Sequence, residues 1–175
     1  MTQSFAWLAN EADEVQKRVV AALNQQERNE FDYHWEMLAR TAQLPPQGNW
    51  RTWLIMAGRG FGKTRAGAEW VRSLAETQGE ARIALVSSSL TEARAVMVEG
   101  ESGLLACSPP ERRPIFEASL RRLRYPNGAQ VQMYSAAEPE SLRGPQHSHA
   151  DLFTAASILG AGAKGIFPQS VLFGD

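Results

Sequence analysis

Apolar residues recur at helical spacing through the N-terminal part of the chain. They are Leu8, Val15, Val19, Leu23, Phe31, Trp35 and Leu38. Because residues at such spacing share one face of an α-helix, the pattern predicts helices within residues 4–41. Asn24 to Gln26 interrupt it and predict a break between two helices. We therefore interpret residues 1–45 as an N-terminal helical segment.

The pattern changes after a turn-rich loop at residues 44–49. Residues 53–56 are a short apolar run that is typical of a buried parallel strand, and residues 83–86 are a second such run. Residues 63–77 between them have helical spacing, and residues 91–99 predict a short helix with a serine or threonine N-cap. Alternating strands and helices indicate an α/β domain built on a parallel sheet.

A hairpin is predicted where Pro126-Asn127-Gly128 separates two alternating runs, at residues 120–125 and 129–135. Asn-Gly favours the tight turns that join antiparallel strands. We assign residues 46–150 to one partial α/β domain that contains this hairpin.

The composition changes after this domain. Residues 151–175 contain no arginine, and several glycines interrupt any long element. We interpret this stretch as a divergent tail.

The most informative local motif is the glycine-rich loop, which we define as residues 57–64. It is Ala57-Gly58-Arg59-Gly60-Phe61-Gly62-Lys63-Thr64. It lies between a predicted buried strand and a predicted helix, which is the context that a phosphate-binding loop requires. The glycines let backbone N–H groups turn inward, and the start of the helix adds positive potential around a phosphate. The motif therefore predicts ATP and Mg²⁺ as cofactors.

Individual roles follow from the chemistry of this loop. Lys63 is expected to reach the β- and γ-phosphates, and the hydroxyl of Thr64 to bind Mg²⁺. The predicted cofactor-binding residues of this region are Gly58, Arg59, Gly60, Phe61, Gly62, Lys63, Thr64 and Arg65. The usual pattern opens with glycine where this chain has Ala57. A dinucleotide-binding loop is rejected because its third glycine is replaced by Lys63.

Composition and charge exclude only a few classes of protein and site. The formal net charge is −1, so the overall balance does not indicate a nucleic-acid-binding protein. Cys107 is the only cysteine, which excludes an intrachain disulfide and a cysteine-based metal site. The N-terminal sequence predicts no signal peptide, and no apolar run is long enough to predict a membrane span.

Several runs resemble the N-terminal ATPase part of bacteriophage large terminase subunits. They are residues 50–71, 81–86, 96–105, 125–129 and 139–146, and the resemblance extends over roughly residues 32–150. It implies a P-loop NTPase of the ASCE, RecA-like type, with a parallel sheet core that is incomplete in this chain. It also implies a ring of identical subunits that drives double-stranded DNA through a portal protein, together with a small terminase subunit, in the cytoplasm of a bacterial host.

The resemblance also implies roles for single residues. Gln43 stands where the family has a glutamine that recognises adenine, although a surface glutamine is an equally good interpretation. Arg59 would contact the γ-phosphate or a sensor group, and Arg143 would act on the nucleotide of a neighbouring subunit. Lys63, Arg59 and Arg143 are thus the candidate catalytic residues. Five other arginines face either DNA phosphate or solvent: Arg112, Arg113, Arg121, Arg122 and Arg124.

The chain departs from the family after Ala150. An Asp-Glu pair is expected there, in which the aspartate holds Mg²⁺ and the glutamate polarises water. Asp151 is a poor substitute, because no apolar strand precedes it and no glutamate follows. A truncation or a frameshift would explain this loss, and no nuclease domain is expected in the chain.

Three functions therefore stay open. The first is the ATPase part of a packaging motor, which would bind ATP with little or no hydrolysis. The second is a different P-loop ATPase. The third is a non-catalytic terminase fragment that acts only as an interaction module, in which residues 1–45 dock a small terminase subunit.

Overall fold

The computed structural model describes residues 8, 11–143, 146–153 and 169–173. The chain divides into two compact units, Met1–Leu44 and Pro45–Asp175. Within the described residues, no helix combines the length and apolar character that crossing a membrane would require.

The N-terminal unit is helical, as the apolar spacing predicts. Helix α1 spans Asp13–Ala22, α2 spans Gln25–Asp32 and α3 spans Trp35–Leu38, and a 3-10 turn follows at Thr41–Gln43. The predicted break is present because Asn24 caps α2. Its side chain accepts a hydrogen bond from the backbone of Glu27, and the Glu27 carboxylate accepts one from the backbone of Asn24, both at 2.9 Å.

The second unit contains a sheet and the helices that connect its strands. The strands are β1 (Thr52–Met56), β2 (Arg82–Ser87), β3 (Ile115–Glu117), β4 (Arg122–Arg124), β5 (Gln130–Ser135), β6 (His149–Phe153) and β7 (Gln169–Phe173). The helices are α4 (Lys63–Thr77), α5 (Leu90–Glu92), which continues as a π-helix over Ala93–Val98, and α6 (Leu104–Cys107). Short 3-10 turns occupy Pro110–Arg112, Ala118–Leu120 and Pro139–Leu142.

The described strands form one mixed sheet in the order β1-β7-β6-β2-β5-β4-β3. The predicted parallel arrangement holds for the central strands, since β2 pairs in parallel with both β5 and β6. The other pairs are antiparallel, so the protein is a mixed α/β structure and not a purely parallel one. Leu85 lies opposite Asp151 in the β2–β6 register.

The expectation that β1 is a buried parallel strand is wrong for this structure. β1 lies at one end of the strand order and pairs antiparallel with β7. Trp53 and Ile55 are buried, whereas Leu54 is 46% exposed and Met56 is 67% exposed. A short apolar run does not reveal whether one or both faces of a strand are covered, because that depends on distant parts of the chain.

Two other predicted elements are observed. Ser89 caps α5, since its hydroxyl accepts a hydrogen bond from the backbone of Glu92 at 3.1 Å. The β4–β5 hairpin turns at Gly128, where φ is +102° and glycine is the residue that adopts such a backbone without strain. Strand β6 crosses the position where the sequence analysis places the start of the tail, and β7 lies within that tail.

Candidate functional site

The glycine-rich loop joins the end of β1 to the start of α4, as the sequence pattern predicts. Gly60 and Gly62 have φ values of +79° and +89°, a region that other residues adopt only with strain. Gly62 is also the N-cap of the 15-residue α4. Because the first N–H groups of a helix have no partners within it, this turn concentrates unsatisfied donors and positive potential beside the loop. Gly58 differs, since its φ is not positive.

Lys63 is the first residue of α4, and its side chain folds back over the loop. The buried Nζ donates hydrogen bonds to the carbonyl oxygens of Ala57 at 2.9 Å and Gly58 at 2.8 Å. The backbone of one short segment therefore surrounds the ammonium group. A phosphate entering the loop would meet this cation together with the N–H groups at the start of the helix.

The other predicted residues of this region occupy different environments. Arg59 is exposed on the loop, and Phe61 is half-buried. Thr64 lines a small pocket beneath the first turns of α4. Arg65 extends along the helix to Glu69, at 2.7 Å from Nε and 2.6 Å from Nη2. The structure thus brings together the loop, Lys63 and Thr64, and it directs Arg65 onto a carboxylate.

Asp151 lies in the same pocket as Thr64, which corrects the sequence analysis. Its carboxyl group is buried on β6, and Oδ1 has no hydrogen-bond partner. The other pocket-lining residues are Ala68, Leu85, Met97 and Leu104. The sequence analysis did not predict a strand here, but His149–Phe153 form β6, which pairs with the buried strand β2 and carries Asp151 at its centre. Burial raises the pKa of Asp151 to about 7.

Thr64 and Asp151 are suited by their donor atoms to a Mg²⁺ ion, which prefers oxygen ligands. The unpartnered Oδ1 of Asp151 supports this fit. Among the described residues, no group of three or more histidine, cysteine, aspartate or glutamate side chains is placed to hold a metal. Thr64 and Asp151 are therefore our candidates for a Mg²⁺ ion, whose remaining ligands would have to come from phosphate and water.

Gln43 and Arg143 lie outside the loop region in sequence. Gln43 is a buried residue of the N-terminal unit, and its side-chain oxygen accepts a hydrogen bond from the backbone of Arg40 at 2.9 Å. Arg143 follows the 3-10 turn at Pro139–Leu142 and is 79% exposed. Its Nη1 lies 2.8 Å from a carboxylate oxygen of Glu140.

Most of the arginines for which contact with DNA phosphate was an open interpretation have partners within the chain. Arg122 and Arg124 both bond the carboxylate of Glu117, at 2.5 Å and 3.3 Å. Arg112 lies 3.6 Å from Glu76, and Arg113 donates to the carbonyl oxygen of Ser108 at 3.3 Å. These contacts favour the interpretation of a charged strand face that is balanced within the protein.

Sequence reasoning missed Glu69. Its side chain has no exposed surface, and it pairs with Arg65 and Arg72. The spacings i,i+4 and i,i+3 on one predicted helix were the available signal. They did not reveal that the carboxylate is buried, because burial depends on the elements that pack against α4, among them α6.

These features define a mixed α/β protein in which a lysine-bearing glycine-rich loop joins an edge strand to a long helix. Residues 54–151 match the model of the family described as terminase large subunit, T4likevirus-type, N-terminal. This match covers more than half of the chain, so the chain belongs to that family, whose general role is in the phage DNA-packaging motor. No curated protein and no solved structure matched the chain.

Proposed function

We propose that this chain is the nucleotide-binding part of a phage DNA-packaging ATPase and that residues 57–64 bind the phosphates of ATP. The position of Lys63 carries the proposal, because its ammonium group is held inside the loop by the carbonyls of Ala57 and Gly58. The fold we propose is a P-loop NTPase core of the ASCE, RecA-like type.

When ATP binds, the ammonium group of Lys63 would exchange its carbonyl partners for phosphate oxygens. The loop carbonyls hold the ammonium group only as neutral acceptors, whereas a phosphate offers charged oxygens and stronger hydrogen bonds. The N–H groups at the start of α4 would contribute to the same phosphate. Thr64 and Asp151 would hold Mg²⁺, which offsets the negative charge of the β- and γ-phosphates when it is bound.

We expect binding with little turnover. Hydrolysis needs a group that orients the attacking water, and the residues after Asp151 on β6 are Leu152 and Phe153. The exposed Arg59 and Arg143 are our candidates for stabilising charge during phosphoryl transfer, Arg143 at a neighbouring subunit. In the assembled motor we propose double-stranded DNA, the portal protein, a small terminase subunit and further copies of the chain as partners.

Isothermal titration calorimetry of the whole chain with ATP and Mg²⁺ tests this proposal. We expect measurable binding, which Lys63→Ala should weaken by at least about tenfold through loss of a charged contact to phosphate. Lys17→Ala is the matched control, since Lys17 is an exposed lysine of the N-terminal unit. Circular dichroism of each variant checks that its helices are intact.

Two results would contradict the proposal. Equal ATP affinity of the parent chain and Lys63→Ala would exclude the loop as the phosphate site. No ATP binding by a folded parent chain would favour the alternative in which the N-terminal unit docks a small terminase subunit and the loop has no ligand. Separately, Mg²⁺-dependent turnover comparable to that of an intact motor would refute the expectation of weak hydrolysis.

A further inference from the structure

Helix α4 does not end in the left-handed glycine turn that caps many helices. Its C-cap is Gln78, which has an extended backbone with φ of −121°, and the φ of Gly79 is not positive. The last carbonyl groups of a helix have no N–H partners within it, so each needs another donor or water. For Ala75 and Glu76, that donor comes from a distant part of the chain.

The side chain of Asn127, in the turn between β4 and β5, supplies this donor. Its Nδ2 donates to the carbonyl oxygens of Ala75 at 2.8 Å and Glu76 at 3.2 Å. Its Oδ1 accepts a hydrogen bond from the backbone of Ala129 at 3.2 Å. Both ends of one amide group are therefore used, the oxygen within the hairpin and the nitrogen on the helix.

The hairpin turn also lies close to the residues that follow the helix. A Cβ on Gly79 would lie 2.7 Å from the backbone oxygen of Asn127, so a larger residue would displace the turn. Nη1 of Arg82 donates to the carbonyl oxygen of Gly128 at 3.3 Å. The start of β5 adds a backbone hydrogen bond to Ala81 at 3.0 Å. These contacts hold the residues after α4, whereas the contacts of Asn127 reach the last turn of the helix itself.

We propose that Asn127 is a remote C-cap of α4, which joins the last turn of the helix and the hairpin turn into one unit that opens and closes together. This is a second role for the residue, because the Asn-Gly turn itself does not use the side-chain nitrogen as a donor to a helix. The unit connects the hairpin to the helix that begins at the glycine-rich loop. The inference concerns the opposite end of that helix and does not rest on the proposed function.

The variant Asn127→Asp separates the two roles of the side chain. Aspartate keeps an oxygen that can accept from Ala129, and Asp-Gly also favours a tight turn. It has no N–H group to donate, however, and it places a negative charge at the carbonyl end of a helix. Asn49→Asp is the matched control, since Asn49 is exposed and precedes β1.

Hydrogen exchange of single backbone amides, followed by NMR, measures how often each segment opens. The amide of Gln78 donates to Leu74 at 2.8 Å and reports on the helix end, and the amide of Gly128 donates to Tyr125 at 3.0 Å and reports on the turn. In the parent chain we expect their opening constants to agree within about threefold.

The two amides should no longer open together in Asn127→Asp. We expect the opening constant of Gln78 to rise by about tenfold, as the loss of a hydrogen bond to the helix end would give. The opening constant of Gly128 should change less, because the hairpin keeps its acceptor. In Asn49→Asp, both constants should stay within about twofold of the parent chain.

Two results would overturn the inference. One is a parent chain in which the opening constants of Gln78 and Gly128 differ by more than about tenfold. The other is an unchanged opening constant of Gln78 in folded Asn127→Asp. If that variant does not fold, Gly79→Ala provides the test, because its Cβ would push the turn away from the helix end. We expect Gln78 to exchange faster in Gly79→Ala, and exchange equal to that of the parent chain would overturn the inference as well.

Discussion

Replacing Asp151 with asparagine tests whether the carboxyl group on β6 is neutral in the folded chain. Burial raises the pKa of this carboxyl from its ordinary value of 3.8 to about 7. Between these values the folded chain binds more protons than the unfolded chain, so the free energy of unfolding falls as pH rises and levels off above the window. With about 1.4 kcal/mol for each pH unit inside the window, the contribution of Asp151 to the free energy of unfolding of the metal-free chain should fall by roughly 3 kcal/mol between pH 5 and pH 8.

Urea unfolding at the two pH values measures this loss. Asparagine has nearly the shape of a neutral aspartic acid and does not ionise, so Asp151→Asn should remove most of the dependence and be more stable than the parent chain at pH 8. Glu101→Gln is the control, since it removes an exposed carboxylate. If the parent chain and Asp151→Asn lose equal free energy between pH 5 and pH 8, the carboxyl group is already ionised in the folded chain and the reasoning from burial is refuted.

Three further outcomes follow from single residues. Arg121 has φ of +53°, so Arg121→Gly should stabilise the chain by up to about 1 kcal/mol in urea unfolding. A Cβ on Gly67 would lie 2.6 Å from a carboxylate oxygen of Asp151, so Gly67→Ala should lower the free energy of unfolding by about 1–3 kcal/mol. In a chain that already carries Asp151→Ala this contact is absent, and there Gly67→Ala should raise the free energy of unfolding. Burial and the nearby Glu69 raise the pKa of Cys107 to about 12, so a thiol reagent at pH 8 should label it only when denaturant unfolds the chain.

The sequence patterns predicted those helices and strands that are determined by neighbouring residues in the chain. Helix α4, strand β2 and the hairpin at Asn127-Gly128 follow from spacing and turn residues. The position of β7 between β1 and β6 had no such signal, because it joins a stretch at the end of the chain to a strand before the loop. Strand β6 was missed for a related reason. Its five residues have too short a pattern to predict a strand, and they pair with β2, more than sixty residues earlier, and with β7 near the end of the chain.

The candidate site also has some features with local causes and others that depend on packing. The loop from Ala57 to Thr64 was recognisable because contiguous residues build it, and two of its glycines, Gly60 and Gly62, take positive φ values. The contact of Arg65 with Glu69, by contrast, joins two residues one helical turn apart, and the burial of that carboxylate depends on what packs against α4. Glu69 and Asp151, whose environments depend on packing, were therefore the residues that sequence reasoning missed or undervalued.

Gly67 connects these observations. Because residue 67 has no side chain, the carboxyl group of Asp151 lies against the backbone of α4 at a distance that no Cβ would permit. That close approach puts Thr64, one turn earlier on the helix, into the same pocket as the acid on β6. Any shift of α4 relative to β6 must therefore move the hydroxyl of Thr64 and the carboxyl of Asp151 relative to each other. Since the glycine-rich loop leads directly into this helix, such a shift would also displace the end of the loop, where we propose that phosphate binds.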